Sequence, residues 1–192
     1  MSRDQKLSPE EIVDSFKKEF AKKVTDTKVE RHPIGPKKNE MIHIWMTVDR
    51  SSYRDVVKHL MTLDEQAHFA VSSGYDIEDR IEIINHFSIY FGERGEEISI
   101  NFKVALPKSD PTMESICDLI PGALISEQEK QEMLGIKVKN IPKDMRVFIS
   151  DDFPEDMYPW RKDEMNADKM GRNLHEHDKI PAAKVDKVED DE

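Results

Sequence analysis

At 192 residues, 37% hydrophobic and 36% charged, the chain has material for one folded domain and a polar remainder rather than two full domains. A formal net charge of −11 and an isoelectric point near 5.2 exclude duplex nucleic acid as the main ligand and disfavour docking on an anionic membrane surface. No apolar run approaches the roughly 20 residues of a spanning helix, and the polar MSRDQKLSPEE start has neither a signal-peptide nor a lipidation pattern, so a cytoplasmic chain without direct membrane insertion is expected.

Ser8-Pro9-Glu10-Glu11 reads as a helix start. Ser8 can cap, Pro9 has the φ wanted at the first helical position, and Glu11 completes a capping box. Ile12, Phe16 and Phe20 recur at i+4, with the helix fading near Val24. Thr25 to Asn39, which holds Pro33, Gly35 and Pro36, reads as a loop. Met41 to Val48 then alternates as a strand, with Ile42, Ile44, Met46 and Val48 on one face. Ser52 precedes a second helix whose apolar face is Tyr53, Val56, Val57 and Leu60.

His68 to Val71 reads as a short strand closed by Ser72-Ser73-Gly74. Ile81, Ile83, Phe87, Ile89 and Phe91 line the next strand, with Asn85 the one polar interruption; Ile98, Ile100, Phe102, Val104 and Leu106 line its partner. The glycine-bounded turn between them makes residues 81–106 a hairpin with one buried face. This order predicts an α+β fold, a mostly antiparallel sheet with helices on one face.

Beyond the hairpin the character changes. Ser115 can cap a short helical turn reaching Leu119, which Pro121-Gly122 breaks. Ser126 is placed to cap a further turn from Glu127 to Leu134, with Glu129 set for a capping box and Gly135 as the terminating residue. Val147 to Ile149 could pair as a short strand. Residues 1–150 thus read as the core domain, and 151–192 as an extended partner-docking arm with an acidic tail.

No glycine-rich phosphate loop or nucleophile elbow is present. Asp118, Glu127, Glu129 and Glu132 could form an acid–base or metal site, but Glu127 and Glu129 fall in a helix first turn, where negative charge complements the dipole. His175 and His177 alternate in a polar tail and read as solvated. Cys117, the single cysteine, sits among apolar residues and reads as a small buried thiol. One thiol cannot hold an iron–sulfur cluster, which takes about four. Trp45 has two readings, an interface anchor or a side chain packed under the first helix. Tyr158-Pro159-Trp160-Arg161-Lys162-Asp163 joins aromatics and arginine in a segment too polar to fold alone, the composition of an interface anchor. The residues by themselves describe an interaction subunit without its own cofactor.

The order of these motifs resembles the 30 kDa subunit family of respiratory complex I, in the form found in energy-converting membrane-bound hydrogenases and sulfane sulfur reductases. The resemblance is carried by Pro111, Ser115, Ile116, Asp118, Leu119, Pro121, Gly122 and Ala123, then Glu127, Glu129, Leu134, Gly135 and Ile136. It resumes at Arg146, Asp151, Asp152, Phe153 and Pro154 and closes at Tyr158, Pro159, Arg161, Lys162 and Asp163. Gln128 stands where the family has arginine, Glu132 where it has aspartate and Trp160 where it has leucine, and a Gly-His-Pro element is missing around Lys139 to Asp144.

The resemblance implies a cofactor-free peripheral subunit of a membrane-bound, ion-translocating oxidoreductase complex, on the cytoplasmic side. Its partners would be a large hydrogenase-like catalytic subunit, a small iron–sulfur subunit and antiporter-like membrane subunits. The NiFe or related site and the clusters would reside in those partners. Ser115, Asp118, Pro121, Gly122, Glu127, Glu129, Gly135, Arg146, Tyr158, Trp160, Arg161, Lys162 and Asp163 would form the interface, and no residue would do chemistry. The alternatives are the equivalent subunit of complex I or of a reduced-deazaflavin dehydrogenase, a stand-alone enzyme using the acidic residues near Asp118, and an adaptor unconnected with electron transfer.

Overall fold

A computed structural model describes residues 6–92, 95–150, 153 and 157–162. The capping box forms as expected. Ser8 Oγ accepts the Glu11 N–H at 3.3 Å while the Glu11 carboxylate accepts the Ser8 N–H at 2.8 Å, starting α1 (Pro9–Phe20). A 3₁₀ turn, Ala21–Lys23, ends the helix before Val24.

The segment expected to be a loop is instead β1 (Val24–Ile34), antiparallel to β2 (Asn39–Val48). It is an edge strand, so a single neighbour and one lightly buried face leave it no alternating apolar pattern. Pro33 is tolerated there because an edge strand has a side without a ladder partner. Only Gly35 to Lys38 turn, with the Lys38 N–H on the Gly35 carbonyl at 3.1 Å.

After α2 (Tyr53–Leu63) come β3 (His68–Ile77), β4 (Arg80–Ile89) and β5 (Ile98–Pro107). The strand order is β1-β2-β5-β4-β3, antiparallel throughout except for the central β2–β5 pair. β3 does not stop at Ser72-Ser73-Gly74: those residues pair with Asn85, Ile84 and Ile83, and the strand runs on to Ile77. Ladder hydrogen bonds with β4 outweigh the weak strand propensity of a serine–glycine run.

The α+β expectation holds, with the helices on one face. Ile44, Met46, Phe87, Ile100 and Phe102 share that face and are buried against Ile12, Phe16, Tyr53, Val56 and Leu60. The Phe102 ring lies 5.6 Å from Phe16 and 5.5 Å from Phe87. Burying each such side chain contributes roughly 1.5–3 kcal/mol. The opposite, helix-free face is polar. Trp45 lies there and not under α1, its Nε1 donating to Glu30 at 3.1 Å and its ring edge-on to His86 at 6.2 Å. His86 Nδ1 and Asn101 Oδ1 are 2.6 Å apart, and Asn101 Nδ2 donates to the Ile44 carbonyl at 3.2 Å.

Beyond the sheet, β6 (Thr112–Glu114) pairs in parallel with β7 (Lys137–Lys139). Between them a 3₁₀ turn, Pro121–Ala123, runs directly into α3 (Leu124–Leu134). Because Pro121 starts the winding, Ser126 is already inside the helix and neither it nor Glu129 caps; Ala123 holds the cap position without a side-chain bond. Gly135 does end the helix, in the left-handed conformation at φ +66°. Val147 to Ile149 form no strand, because a side chain of α3 takes their N–H groups.

α3 lies close against the sheet because Gly74 has no side chain. A Cβ there would stand 2.7 Å from Leu134 Cδ1 and 3.0 Å from Ile83 Cδ1. Leu134 is fully buried and has no room to retreat. Gly74→Ala should therefore destabilise the fold by about 2 kcal/mol, read as a lower urea midpoint; an unchanged midpoint would disprove this close contact.

Candidate functional site

The motifs that stand apart in sequence converge on α3. Glu127, buried on its first turn, accepts the Ser115 hydroxyl at 2.7 Å, the Ile116 N–H at 2.8 Å and the Cys117 thiol at 3.0 Å. Ser115 Oγ in turn accepts the Cys117 N–H at 3.1 Å, which makes the expected turn. One carboxylate thus satisfies the donors of a segment that leaves β6 without a ladder. Burial, and then the Glu127 carboxylate, push the Cys117 thiol up to about 12, so it stays a protonated donor and not a nucleophile.

Asp118, the next residue, faces outward and pairs through both oxygens with Arg54 of α2. That hydrogen bonding holds its carboxyl down at about 2. Arg54 also donates to the Ser115 carbonyl at 2.8 Å, tying α2 to the same turn. Sequence reasoning missed Arg54, whose partner lies 64 residues away and which belongs to no local pattern.

Glu132 is the side chain that replaces the expected strand pairing. Its carboxylate accepts the consecutive N–H groups of Val147, Phe148 (2.9 Å) and Ile149 (2.8 Å). Gln128, where the resembled family has arginine, is buried and donates to the Lys143 carbonyl at 2.9 Å. Arg146 folds back on the carbonyls of Ser150 (3.3 Å) and Phe153 (2.9 Å). A cleft of about 270 Å³ opens between α3, this loop and Met157-Tyr158, with Glu132 and Arg146 on its walls.

The described part of the aromatic segment lies on the carboxyl end of α3, where helix carbonyls lack intrahelical donors. The Trp160 N–H donates to the Met133 carbonyl at 2.9 Å and Arg161 Nε to the Leu134 carbonyl at 2.6 Å. The Tyr158 ring covers Gly135, where a Cβ would stand 2.5 Å from Cε2. Lys130, buried and paired with Glu129, sits 5.2 Å from the Trp160 ring centre, and Arg161 5.5 Å from that of Tyr158. The Lys162 N–H donates to Asp76 at 2.9 Å. Burial opposes ionisation of Asp76, but Lys108 at 2.7 Å and that N–H prevail and hold its carboxyl below the usual range.

Of the residues singled out from sequence, Ser115, Glu127, Glu129, Gly135, Tyr158, Trp160 and Arg161 meet on α3 or its end, Pro121-Gly122 lead into it, Asp118 pairs with Arg54 of α2, Arg146 binds within its own loop and Lys162 reaches Asp76 of β3. Asp163, His175 and His177 lie outside the described residues. The four carboxylates Asp118, Glu127, Glu129 and Glu132 do not share a site, each being engaged by a different partner. Among the described residues no helix is long and apolar enough to cross a membrane.

The family described as respiratory-chain NADH dehydrogenase, 30 Kd subunit, matches residues 46–169. The membrane-bound hydrogenase subunit beta of Pyrococcus furiosus is 32% identical over 121 residues, 63% of this chain and 69% of that one. Formate hydrogenlyase subunit 5 of Escherichia coli is 25% identical over 130 residues, 65% of this chain but only 23% of that one. Among solved structures, a chain of the membrane-bound sulfane sulfur reductase, an archaeal respiratory membrane complex, matches with a TM-score of 0.66 at 21% identity. That match covers 95% of this chain and 98% of the other, a likeness of fold.

Two outcomes test the site. Gly135→Ala should push the Tyr158 ring off the helix end and speed exchange of the Trp160 amide by at least roughly tenfold, with α1 and β5 unaffected; equal exchange would refute the clasp. Cys117 should resist alkylation in the folded chain at about pH 8 and react on unfolding, since its thiolate is scarce below about 12; rapid labelling of the native chain would contradict its burial.

Proposed function

Because the chain belongs to the respiratory-chain NADH dehydrogenase 30 kDa subunit family, we propose that it is a cofactor-free peripheral subunit of a membrane-bound, ion-translocating oxidoreductase complex of the hydrogenase or sulfur-reductase type. It binds the large catalytic subunit and the small subunit that holds the iron–sulfur cluster nearest the active site. The complex also holds antiporter-like membrane subunits, and this chain sits on its cytoplasmic side. NiFe or related chemistry and the clusters belong to the partners.

The observation that carries the reading is how the polar motif residues are employed. Glu127, Asp118, Glu132, Arg146 and Arg161 are each committed to backbone or ion-pair partners within the chain. Groups so engaged fix shape and are not free for acid–base or nucleophilic work. The similarity to a hydrogenase beta subunit supports this class of complex. In formate hydrogenlyase subunit 5 the stretch like this chain is one part, 23%, of a longer polypeptide. The family description itself favours a second reading, the equivalent subunit of a complex I-type enzyme, which differs in the electron donor and acceptor.

Affinity purification of the tagged full chain from native membranes in mild detergent tests this. Recovery with a hydrogenase-like large subunit, iron–sulfur proteins and multi-spanning subunits, together with bound iron, is the expected result. Hydrogen evolution, sulfur reduction or quinone reduction by the purified complex then chooses the class. A chain recovered alone and free of iron would overturn the proposal in favour of a stand-alone protein.

A further inference from the structure

Tyr158 to Lys162 form a short strap across the carboxyl end of α3, and its own backbone is already set. The Arg161 N–H donates to the Tyr158 carbonyl at 2.9 Å, closing a turn with Pro159 at its second position, where the fixed φ of proline is favoured. A turn held by its own bond seats and lifts as one piece. Two of its attachments, the Trp160 N–H on Met133 and Arg161 Nε on Leu134, take carbonyls at a helix end, which water can serve as well. The third is of another kind. The Lys162 N–H meets the Asp76 carboxylate at 2.9 Å.

Asp76 is 1% exposed and lies two residues beyond Gly74 in β3, on the face that α3 covers. Its other oxygen is 2.7 Å from Lys108, which follows β5. One buried carboxylate therefore joins the sheet, the chain leaving β5 and the strap. The other charges around it are Arg161, which adds attraction from the strap, and Lys130 of α3, which lies against Gly74 and is paired with Glu129. Its cross-strand neighbour on β4 is the apolar Ile81. A hydrogen bond to an ionised carboxylate is roughly twice as strong as a neutral one, and a buried carboxylate stripped of a donor is costly.

We propose that Asp76 is the latch of this strap: its ionised carboxylate keeps residues 158 to 162 seated on α3, and its neutralisation frees them as a unit. Met157 and Tyr158 form one wall of the cleft that Glu132 and Arg146 line, so lifting the strap opens that cleft and uncovers Gly135. The latch operates whatever complex the chain joins. Burial raises the carboxyl of Asp76, but Lys108 and the Lys162 N–H outweigh it and hold it below the usual range. Seating is therefore complete above about pH 4 and is lost as pH falls through the lowered value.

Amide exchange on the full chain at neutral pH tests the latch. Asp76→Asn should speed exchange of the Lys162 and Trp160 amides together, by at least roughly tenfold, with β4 and β5 unchanged. Fluorotryptophan NMR of the chain's two tryptophans supplies a reading that mere loss of packing would not move. On acidification of the wild type the Trp160 signal should shift with a midpoint below about 3.9, while that of Trp45, on the opposite face of the sheet, stays. In Asp76→Asn the Trp160 signal should hold its released position from neutral pH downward. A faster Lys162 amide beside an unchanged Trp160 amide overturns the latch, as does a Trp160 signal that moves only together with Trp45. If Asp76→Asn does not fold, Lys108→Met decides, because it removes the counter-charge and leaves the acceptor. It should raise the midpoint toward the ordinary value, and an unchanged midpoint overturns the latch.

Discussion

Two carboxylates on one short helix hold this molecule's second half together. Glu127 and Glu132 are both buried, and each gathers donors from a segment without regular structure of its own. A buried carboxylate left without donors is far costlier than a neutral group, so these bonds decide where the segments lie. Glu127 fixes the turn after β6, and Glu132 fixes the loop after β7. α3 has no wide apolar face to anchor it otherwise; its inward residues include Glu127, Gln128, Lys130 and Glu132.

That helix is held to the sheet by a contact that requires an absent side chain. Gly74 lets Leu134 and Lys130 approach β3, and the segment Tyr158 to Lys162 then closes the helix end by donating to its last carbonyls. Gly135 serves twice, as the left-handed terminator and as the floor beneath the Tyr158 ring. The described part of the aromatic segment is therefore engaged within its own chain before any partner arrives. What it presents outward is Trp160, 41% exposed, and Lys162.

A division of labour results. Charged motif residues serve internal order, and apolar side chains remain at the surface around the 145–148 loop. It also explains why acidic residues clustered in sequence do not share one site: each carboxylate finds a different donor set in space.

By itself the sequence determined the elements whose signals are local and periodic. The alternation in β2, β4 and β5, the i, i+3, i+4 stripe of α2 and the Ser8–Glu11 box each follow from neighbours within a few residues. The motif order also identified the family. Tertiary structure alone decided the rest. β1 is polar because an edge strand buries little, so its pairing with β2 left no pattern to read. The start of α3 was set by the turn at Pro121 and not by the better capping residue at Ser126. Arg54 with Asp118, Glu127 with Ser115, Glu132 with Val147–Ile149 and Arg161 with Leu134 are contacts between residues 12 to 64 positions apart. A hydrogen bond at such separation leaves no periodic trace, because its geometry exists only after the sheet and helices have packed.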